Sequence, residues 1–357
     1  MKLSKFMLCV MLACVLASCG KKENDAVILT FDVGKAEPLP SQKVSVASDV
    51  VLDTTHTALL SENLSLRRDG DTWFVYSSKY VYAFDKNGVL LNKIGAHGHG
   101  RSEYTEVKDV DLDVKRKVVE VLVLDNILQY GYDGKFIGKR SVGQQFSRFA
   151  HDGDNYWFSV SGNTYASDYD LWKSDGTFKN MKSMLGFSCK ISGVWDVFGN
   201  GTVLTYFQPF TYDVYHFKND SLALAYKIEC PELELPESMT ELEDIFKFHE
   251  ELMKRNSLIV QLCLENERYL CFALSVCKKD GDQDAYLWLV DKTTWQDRLL
   301  QLDDDVLASF WGHPQLLSSD NLLYFVGYPL TKGGVVNDES VNPHLVAVDV
   351  AQLFGVK

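Results

Sequence analysis

The chain has 357 residues, with 36 Lys and Arg against 49 Asp and Glu, and a formal net charge of −13. Hydrophobic residues make up 46% of the sequence, which is ample for a packed core and excludes disorder as the main state. The acidic balance argues against a nucleic-acid-binding protein, because phosphate recognition needs a basic surface.

The N-terminus has the features of a bacterial export signal. Lys2 and Lys5 precede an apolar run of twelve residues, 6–17, which is too short to span a bilayer, where about 20 residues are needed. The run ends in Leu16-Ala17-Ser18-Cys19, which resembles the lipobox of bacterial lipoproteins. The resemblance implies a signal peptide over residues 1–18 and a diacylglyceryl group on Cys19 that anchors the protein in the membrane. The alternatives are an ordinary secretory signal and a cytosolic protein with a buried N-terminus.

Residues 19–42 form the predicted lipidated tether. Its first part, 20–25, has lysines followed by acidic residues, an order that resembles the surface-export signal of some Gram-negative anaerobes. A plain flexible linker explains the same residues. We therefore expect a lipid anchor in the outer membrane of the cell envelope, with exposure on the cell surface left open.

The cysteines do not form a disulfide framework. Of the eight, Cys9 and Cys14 leave with the signal peptide and Cys19 is lipidated. The remaining five have no C-x-x-C spacing, so a zinc site is not expected, although one disulfide bridge stays open. Two of them lie within apolar β-type runs and should behave as small buried hydrophobic residues. The five are Cys189, Cys230, Cys263, Cys271 and Cys277.

A four-strand pattern with short polar turns recurs from residue 60 onward. In the first copy, the turns 69–71 and 86–88 carry Asn, Asp and Gly, which tolerate the positive φ that tight hairpins need. Five further copies begin near Val107, Phe146, Val194, Leu258 and His313.

Six copies of a four-stranded meander predict an all-β fold, a six-bladed β-propeller over residues 43–357. The sixth copy supplies only three strands, ending with His344–Val350, and the unassigned strand Val44–Asp53 can serve as its fourth. Pairing the two ends of the chain in one blade removes an open sheet edge. The alternative architecture is a pair of β-sandwiches.

The segment from Ile94 to Tyr104, followed by 109–111 and 121–125, resembles NHL-type propellers. It is similar in particular to six-bladed propeller lipoproteins of Gram-negative gut anaerobes, whose linker reads Gly-x-x-Gly-x-Gly-Pro-x-Glu-Tyr. Arg101 replaces the proline, and the best-matched stretch is about 64–142. The resemblance implies a propeller in the cell envelope but no reaction. The matching residues are Gly95, Gly98, Gly100, Glu103 and Tyr104.

The long loops all lie on one face of the predicted propeller. Loops between the second and third strands of a blade, and linkers between blades, leave the same face, which we call the loop-rich face; the short hairpins lie on the turn face. Long loops on a rigid scaffold often carry function. The long segments are 162–169, 231–257, 277–284 and 328–342.

A helix is predicted at about 237–256, between blades four and five. Ser238-x-x-Glu241 resembles a capping box, and apolar residues follow at helical spacing. This stripe either packs against the propeller rim, or forms a lid or a partner-docking helix. Its members are Leu242, Ile245, Phe246, His249, Leu252 and Met253.

Several residues are candidates for ligand binding. His97 and His99 could bind a metal at i and i+2, but no third ligand is evident, so no metal is assigned. The acidic loop that begins at Asp280 faintly resembles a Ca²⁺ loop, but its sixth position is Ala285 where a Ca²⁺ loop needs glycine. Aromatic rings on the loop-rich face suit sugars or peptides, although wedge packing between blades also needs them. The candidate set is His97, His99, Arg101, Glu103, Tyr104, Tyr165, Trp311, His313 and Tyr328.

The sequence contains no Gly-x-Ser-x-Gly, His-Glu-x-x-His or P-loop motif. We therefore expect a monomeric, lipid-anchored binding or scaffold protein without a cofactor, whose ligand is a glycan, a peptide or an envelope protein. The alternative is an envelope hydrolase or lyase, which predicts acid and base groups within hydrogen-bond reach in the channel. Docking through the predicted helix is a third hypothesis and predicts an exposed apolar patch. The residues proposed for the hydrolase are Asp109, Asp111, His313 and His344.

Overall fold

The repeat architecture is that of a six-bladed β-propeller, as the sequence predicts. The computed structural model describes residues 26–39, 44–54, 60, 64–160, 168–191, 197–218, 220–279, 281–302, 314–327, 330–331, 334–335 and 342–355. Each blade is a sheet of four or five strands, and the blades are numbered here in chain order.

The first three blades follow the predicted meander, with each strand antiparallel to the one before it. Blade one consists of Ser65–Asp69, Thr72–Tyr76, Val81–Phe84 and Leu90–Lys93. Blade two consists of Asp109–Asp113, Val118–Val123, Asn126–Gly131 and Phe136–Ser141. Blade three consists of Arg148–Asp152, Asn155–Ser159, Tyr169–Asp175 and Lys182–Gly186.

The last three blades take additional strands from the N-terminal part of the chain. Blade four consists of Thr205–Phe207, Asp213–Lys218 and Ser221–Glu229, with a single bridge from Phe198 to Tyr206 on its inner edge. Blade five consists of Ser257–Glu265, Tyr269–Cys277, Gln283–Asp291 and Gln296–Leu302. Blade six consists of Pro314–Leu317, Leu322–Gly327 and His344–Asp349, with a hairpin of Leu330–Thr331 and Gly334–Val335 after its second strand.

Three N-terminal strands run along the outer edges of blades four, five and six. We call these strands, together with the turn Val33–Lys35 between the first two, the N-terminal strap. Val46–Val51 pairs antiparallel with His344–Asp349, which confirms the predicted closure of the last blade. Val27–Thr30 and Glu37–Pro38 pair in parallel with the outer strands of blades four and five. Two of these strands, Val27–Thr30 and Glu37–Pro38, lie within residues 19–42, for which the sequence predicts a tether. Sequence periodicity gave no sign of these short strands, because their partners lie about two hundred residues away or more.

The blades are held together by apolar clusters at the six interfaces between neighbours. Because both faces of a blade are covered, central strands are apolar at nearly every position, and Tyr269–Cys277 is buried along almost all of its length. Aromatic rings fill the wedge-shaped spaces. Trp157 of blade three and Tyr206 of blade four, for example, share one cluster.

The helical insertion differs in detail from the sequence prediction. Two short helices, Glu237–Thr240 and Ile245–Leu252, replace a single helix. The cap of the second helix is Asp244, whose carboxylate accepts hydrogen bonds from the Phe246 and Lys247 amides at 2.9 and 3.4 Å. The predicted capping box at Ser238 is wrong, because Ser238 lies inside the first helix. A third helix, Val350–Gly355, follows blade six.

Candidate functional site

A turn of blade four crosses the central channel. In this channel turn, residues 199–201, the Asn200 side-chain amide donates to the carbonyl oxygens of Leu66 in blade one and Gln315 in blade six, at 2.7 and 2.9 Å. The Leu317 amide donates to the Asn200 carbonyl oxygen at 3.1 Å. Because blades four and one lie on opposite sides of the propeller, these contacts run across the channel.

Glycine on both sides of Asn200 is required by close main-chain contacts. A Cβ atom on Gly201 would lie 2.0 Å from the Glu265 carbonyl oxygen, and one on Gly199 would lie 2.2 Å from the Cys263 carbonyl oxygen. No side chain fits at these distances. The channel turn is therefore seated directly against the inner strand of blade five.

Asp109, a candidate of the hydrolase hypothesis, lies in the channel wall, and its carboxylate is hydrogen-bonded to the neighbouring blades. Its carboxylate accepts hydrogen bonds from the Tyr76 hydroxyl at 2.8 Å and the Phe149 amide at 3.0 Å. Burial raises the pKa of Asp109, and the nearby Arg67 guanidinium opposes that shift. These bonds connect blade two to blades one and three.

A carboxylate–imidazole pair joins blades two and three. His151 Nε2 lies 2.8 Å from Glu120 Oε2, and the Tyr156 hydroxyl donates to the other Glu120 oxygen at 3.0 Å. Asp111 lies 3.5 Å from His151 Nδ1. Burial disfavours the charge on His151, but Asp111 and Glu120 outweigh it and raise the pKa of His151. Glu120 is fully buried, and despite that burial the hydrogen bond from His151 lowers its pKa.

A second group of the same kind joins blades four and five. Glu265 accepts hydrogen bonds from His216 at 2.6 Å, Lys292 at 2.6 Å and the Tyr226 hydroxyl at 2.8 Å. Burial would raise the pKa of Glu265, but His216 and Lys292 lower it overall. Glutamate, histidine and tyrosine thus recur at two blade interfaces on different sides of the propeller.

Asp109, the pair of Glu120 and His151, and Glu265 with its partners all lie at contacts between blades. The hydrolase hypothesis required groups within hydrogen-bond reach, and His151 with Glu120 meets that requirement, although neither was a candidate. His344 does not join Asp109 and Asp111. It lies on the third strand of blade six, with its Nδ1 2.7 Å from an Asp49 oxygen of the N-terminal strap.

A further buried carboxylate lies near the loop-rich face. Asp170 of blade three accepts hydrogen bonds from Gln208 of blade four at 2.9 Å and from the Ser188 amide at 3.0 Å. Neither donor is a cation. Burial therefore raises the pKa of Asp170 to about 6, against the opposing effect of these hydrogen bonds.

Asp170→Asn should stabilise the protein by about 2 kcal/mol at pH 7.5, because it removes the cost of burying a charge. In the folded state the Asp170 carboxyl keeps its proton up to a higher pH than in the unfolded chain. The free energy of unfolding of the wild type should therefore fall as the pH rises from about 4 to about 6. Urea unfolding at pH 4 and pH 7.5 measures the difference. Asp152→Asn, at a partly exposed site of the same blade, is the control and should change stability by less than about 0.5 kcal/mol. Equal effects of the two variants at pH 7.5 would contradict the prediction.

The linker between blades one and two forms a compact loop. Tyr104 is buried and its hydroxyl donates to the Ile94 carbonyl oxygen at 3.0 Å, while Glu103 accepts the Gly100 amide at 2.8 Å. A Cβ atom on Gly98 would lie 2.1 Å from Glu103 Oε2, so a larger residue there would displace the Glu103 carboxylate. The Tyr104 ring is covered and serves loop packing.

The remaining candidate ligand residues fall into two groups. His97, His99 and Arg101 are exposed on the same linker, and their binding role stays a prediction. Among the described residues, no group of three His, Cys, Asp or Glu could hold a metal ion. The other candidates lie outside the described residues, and so does the lipidation site. These are Tyr165, Trp311, His313, Tyr328 and Cys19.

Two further results concern the cysteines and the membrane. Cys263 and Cys271 are buried as predicted, and they, Cys189, Cys230 and Cys277 are free thiols. No helix in the described ranges is long and apolar enough to cross a membrane.

The helix Ile245–Leu252, the surface helix, has apolar residues on two faces. Phe248 and Leu252 are buried against the propeller, as expected for packing on the rim. Phe246 and Met253, on the other face, are 81 and 52% exposed, and Ile245, at the start of the helix, is 40% exposed. The predicted stripe therefore divides: Leu252 is buried, Leu242 is half-buried, and the other four members are exposed, namely Ile245, Phe246, His249 and Met253.

The fold and these contacts define a six-bladed propeller with a turn across its channel and a helical insertion on its rim. A model for a domain of unknown function, DUF4934, matches residues 35–342, so the chain belongs to that family. The family match gives neither an NHL-type nor a lipoprotein assignment. No curated protein matches the chain.

Comparison with solved structures supports the fold. A candidate exported protein of Bacteroides fragilis has a TM-score of 0.71 at 16% identity, covering 91% of this chain and 99% of that one. BamB of Moraxella catarrhalis has a TM-score of 0.44 at 8% identity, covering 85% and 99%. An oligogalacturonate lyase in complex with manganese has a TM-score of 0.39 at 11% identity, covering 82% and 80%. The first likeness shows the shared fold, and the other two carry no argument about function.

Proposed function

We propose that the chain is a non-enzymatic scaffold protein of the cell envelope that docks a partner protein through the surface helix. The observation that carries this proposal is the group of exposed apolar side chains at the surface helix, namely Ile245, Phe246 and Met253. Phe246 is 81% exposed and Met253 is 52% exposed, and apolar side chains grouped on the surface are typical of interaction sites. Exposed apolar residues at helical spacing are a common anchor for protein partners.

The charges around the surface helix indicate the chemistry of the partner. Residues 237–255 contain six acidic and three basic residues. Amphipathic helices that lie on membranes are usually rich in Lys and Arg, so this helix suits a protein rather than a lipid surface. We infer a partner surface with an apolar pocket for Phe246 and a basic rim.

The proposed location rests on the N-terminus. The charged start, the short apolar run and the lipobox-like residues before Cys19 support export and lipidation. The first described strand, Val27–Thr30, lies on the outer edge of blade four. A lipid on Cys19 would therefore attach the propeller to the outer membrane through the segment that leads to the outer edge of blade four.

The test is site-specific photocrosslinking of the full chain in the cells that produce it. A benzoylphenylalanine at position 246 should give one discrete adduct with another protein, and the same group at Lys86 on the turn face should give none. After the partner is identified and purified, Phe246→Asp should weaken the reconstituted complex more than tenfold, since exposed aromatic anchors dominate interfaces. Lys86→Asp is the matched control.

Two results would overturn the proposal. One is the absence of any adduct at position 246, and the other is a reconstituted complex that Phe246→Asp leaves unchanged.

In the same cells, Cys19→Ala should abolish incorporation of labelled palmitate and release the protein from the membrane fraction. Retained labelling would exclude Cys19 as the lipidated residue.

A hydrolase or lyase is the second candidate. It is favoured by His151, which lies between Asp111 and Glu120 near the channel. Against it, Glu120 is fully buried and accepts hydrogen bonds from His151, Tyr156 and Gln129, so it has little capacity left for a substrate. The scaffold proposal explains these groups as connections between blades.

A further inference from the structure

A cavity of about 590 Å³ lies between the N-terminal strap and blade five. The strap forms one wall through Val33, in a tight turn that Asp32 holds by accepting the Gly34 amide at 2.9 Å. Leu233, from the segment before the helices, forms another wall, and Val276 and Tyr286 of blade five complete the lining. A volume of this size is in the range of sites for small organic ligands.

Most of the lining is apolar, and the polar groups are few. Lys278 pairs with Asp284 at 2.8 Å, and the Tyr286 hydroxyl donates to the same carboxylate at 3.2 Å. Asn256 accepts the Lys279 main-chain amide at 3.0 Å, which fixes the loop that carries both lysines. The side chains that line the cavity thus provide a surface for an apolar group with a small charged region beside it.

Among the residues that line the cavity, Lys279 gives a net charge of +1. Lys278 and Asp284 compensate each other, whereas the Lys279 ammonium has no hydrogen-bond or ion-pair partner within the described part of the chain. An apolar lining with one uncompensated cation favours a ligand that has an apolar body and a single anionic head. A cationic amphiphile would be disfavoured by the same charge.

We propose that this cavity binds a small amphiphile with one anionic head group, seated with its apolar body between Val33, Val276 and Tyr286 and its head at Lys279. This site goes beyond the proposed docking function. It uses none of the exposed residues of the surface helix. It also gives the N-terminal strap a role in ligand binding, because Val33 belongs to the strap.

Isothermal titration calorimetry with dodecanoate tests the proposal. The chain from residue 20 onward suits this experiment, because every strand of the six blades lies within residues 27–349. We expect saturable one-to-one binding of dodecanoate and at least tenfold weaker binding of dodecyltrimethylammonium, which has the same tail and the opposite charge. Butyrate, which has the head without the tail, should not bind measurably.

Two variants locate the site. Val33→Glu places a carboxylate on the wall at a position that is 43% exposed, so the fold should persist while dodecanoate binding falls more than tenfold. Lys279→Gln should weaken dodecanoate binding about fivefold, as expected for loss of one exposed ion pair. Val89→Glu and Lys139→Gln, at exposed positions of blades one and two, are the matched controls and should bind as the wild type does.

Three outcomes would overturn the proposal: no saturable dodecanoate binding, unchanged binding by Val33→Glu, or equal binding of the alkylammonium. Phe246→Asp should leave dodecanoate binding unchanged. Loss of partner docking in that variant therefore bears only on the scaffold function, and loss of dodecanoate binding in Val33→Glu bears only on the cavity.

Discussion

Gly201→Ala should destabilise the propeller by about 3 kcal/mol, the size expected when a core position is overpacked. The new methyl group would lie 2.0 Å from the Glu265 carbonyl oxygen, so the channel turn would have to move away from blade five. That movement would also strain the hydrogen bonds from Asn200 to Leu66 and Gln315 on the far side of the channel. The midpoint and slope of guanidinium unfolding measure the effect.

Gly138→Ala is the matched control for this change. Gly138 lies in the outer strand of blade two, and a Cβ atom there would have nothing within 4 Å. This variant should be neutral or slightly stabilising, because alanine restricts the unfolded chain more than glycine does. If Gly201→Ala were as stable as Gly138→Ala, the channel turn could not be seated against blade five as described.

Glu265→Gln should cost about 3 to 5 kcal/mol at pH 7.5, the usual cost of removing one partner from a buried ion pair. Glutamine keeps the shape of the side chain but removes the charge that compensates Lys292 and His216, and its amide group would face their donors. Urea unfolding monitored by tryptophan fluorescence measures the loss. Glu250→Gln, at an exposed ion pair with Lys254, should change stability by less than about 0.5 kcal/mol.

The effect of Glu265→Gln should depend on pH in a defined direction. Because the folded state lowers the pKa of Glu265, its stabilisation is present above the pKa of the unfolded chain and is lost as the pH falls through the folded value. The difference between the two proteins should therefore shrink in acid. Lys292→Met combined with Glu265→Gln should recover part of the loss at pH 7.5, since it removes the uncompensated ammonium. If the double variant were as unstable as Glu265→Gln alone, the ion pair with Lys292 could not be the source of the lost stability.

The blade pattern was predictable because it depends on local chemistry. Turns such as 69–71 and 86–88 and the runs between them specify hairpins whose partners are adjacent in sequence. The closing strand Val46–Val51 was also predictable, since the sixth copy lacked a strand. The other strap strands were not, because a four-residue run such as Val27–Thr30 has no sign of its distant parallel partner.

The site residues were harder to predict for a physical reason. Glu120 is the one charged residue in the apolar strand Val118–Val123, and that contrast was a usable signal. Its pairing with His151 depends on how two blades face each other, which no local pattern contains. The surface helix shows the same limit. Its spacing indicated an apolar stripe, but only the packing of Phe248 and Leu252 decided which members stayed exposed.

The N-terminal strap has a consequence for the order of folding. Its strands are synthesised first, yet Val27 pairs with Tyr226 and Val51 pairs with His344, near the end of the chain. Closing such long loops carries a large entropic cost, so these pairings should form late. Val27–Thr30 must therefore stay unpaired until blade four has been made, and Val46–Val51 until the last blade has been made. For an exported protein this delay would keep the ring open, and the chain able to pass a narrow translocation pore, until synthesis is nearly complete.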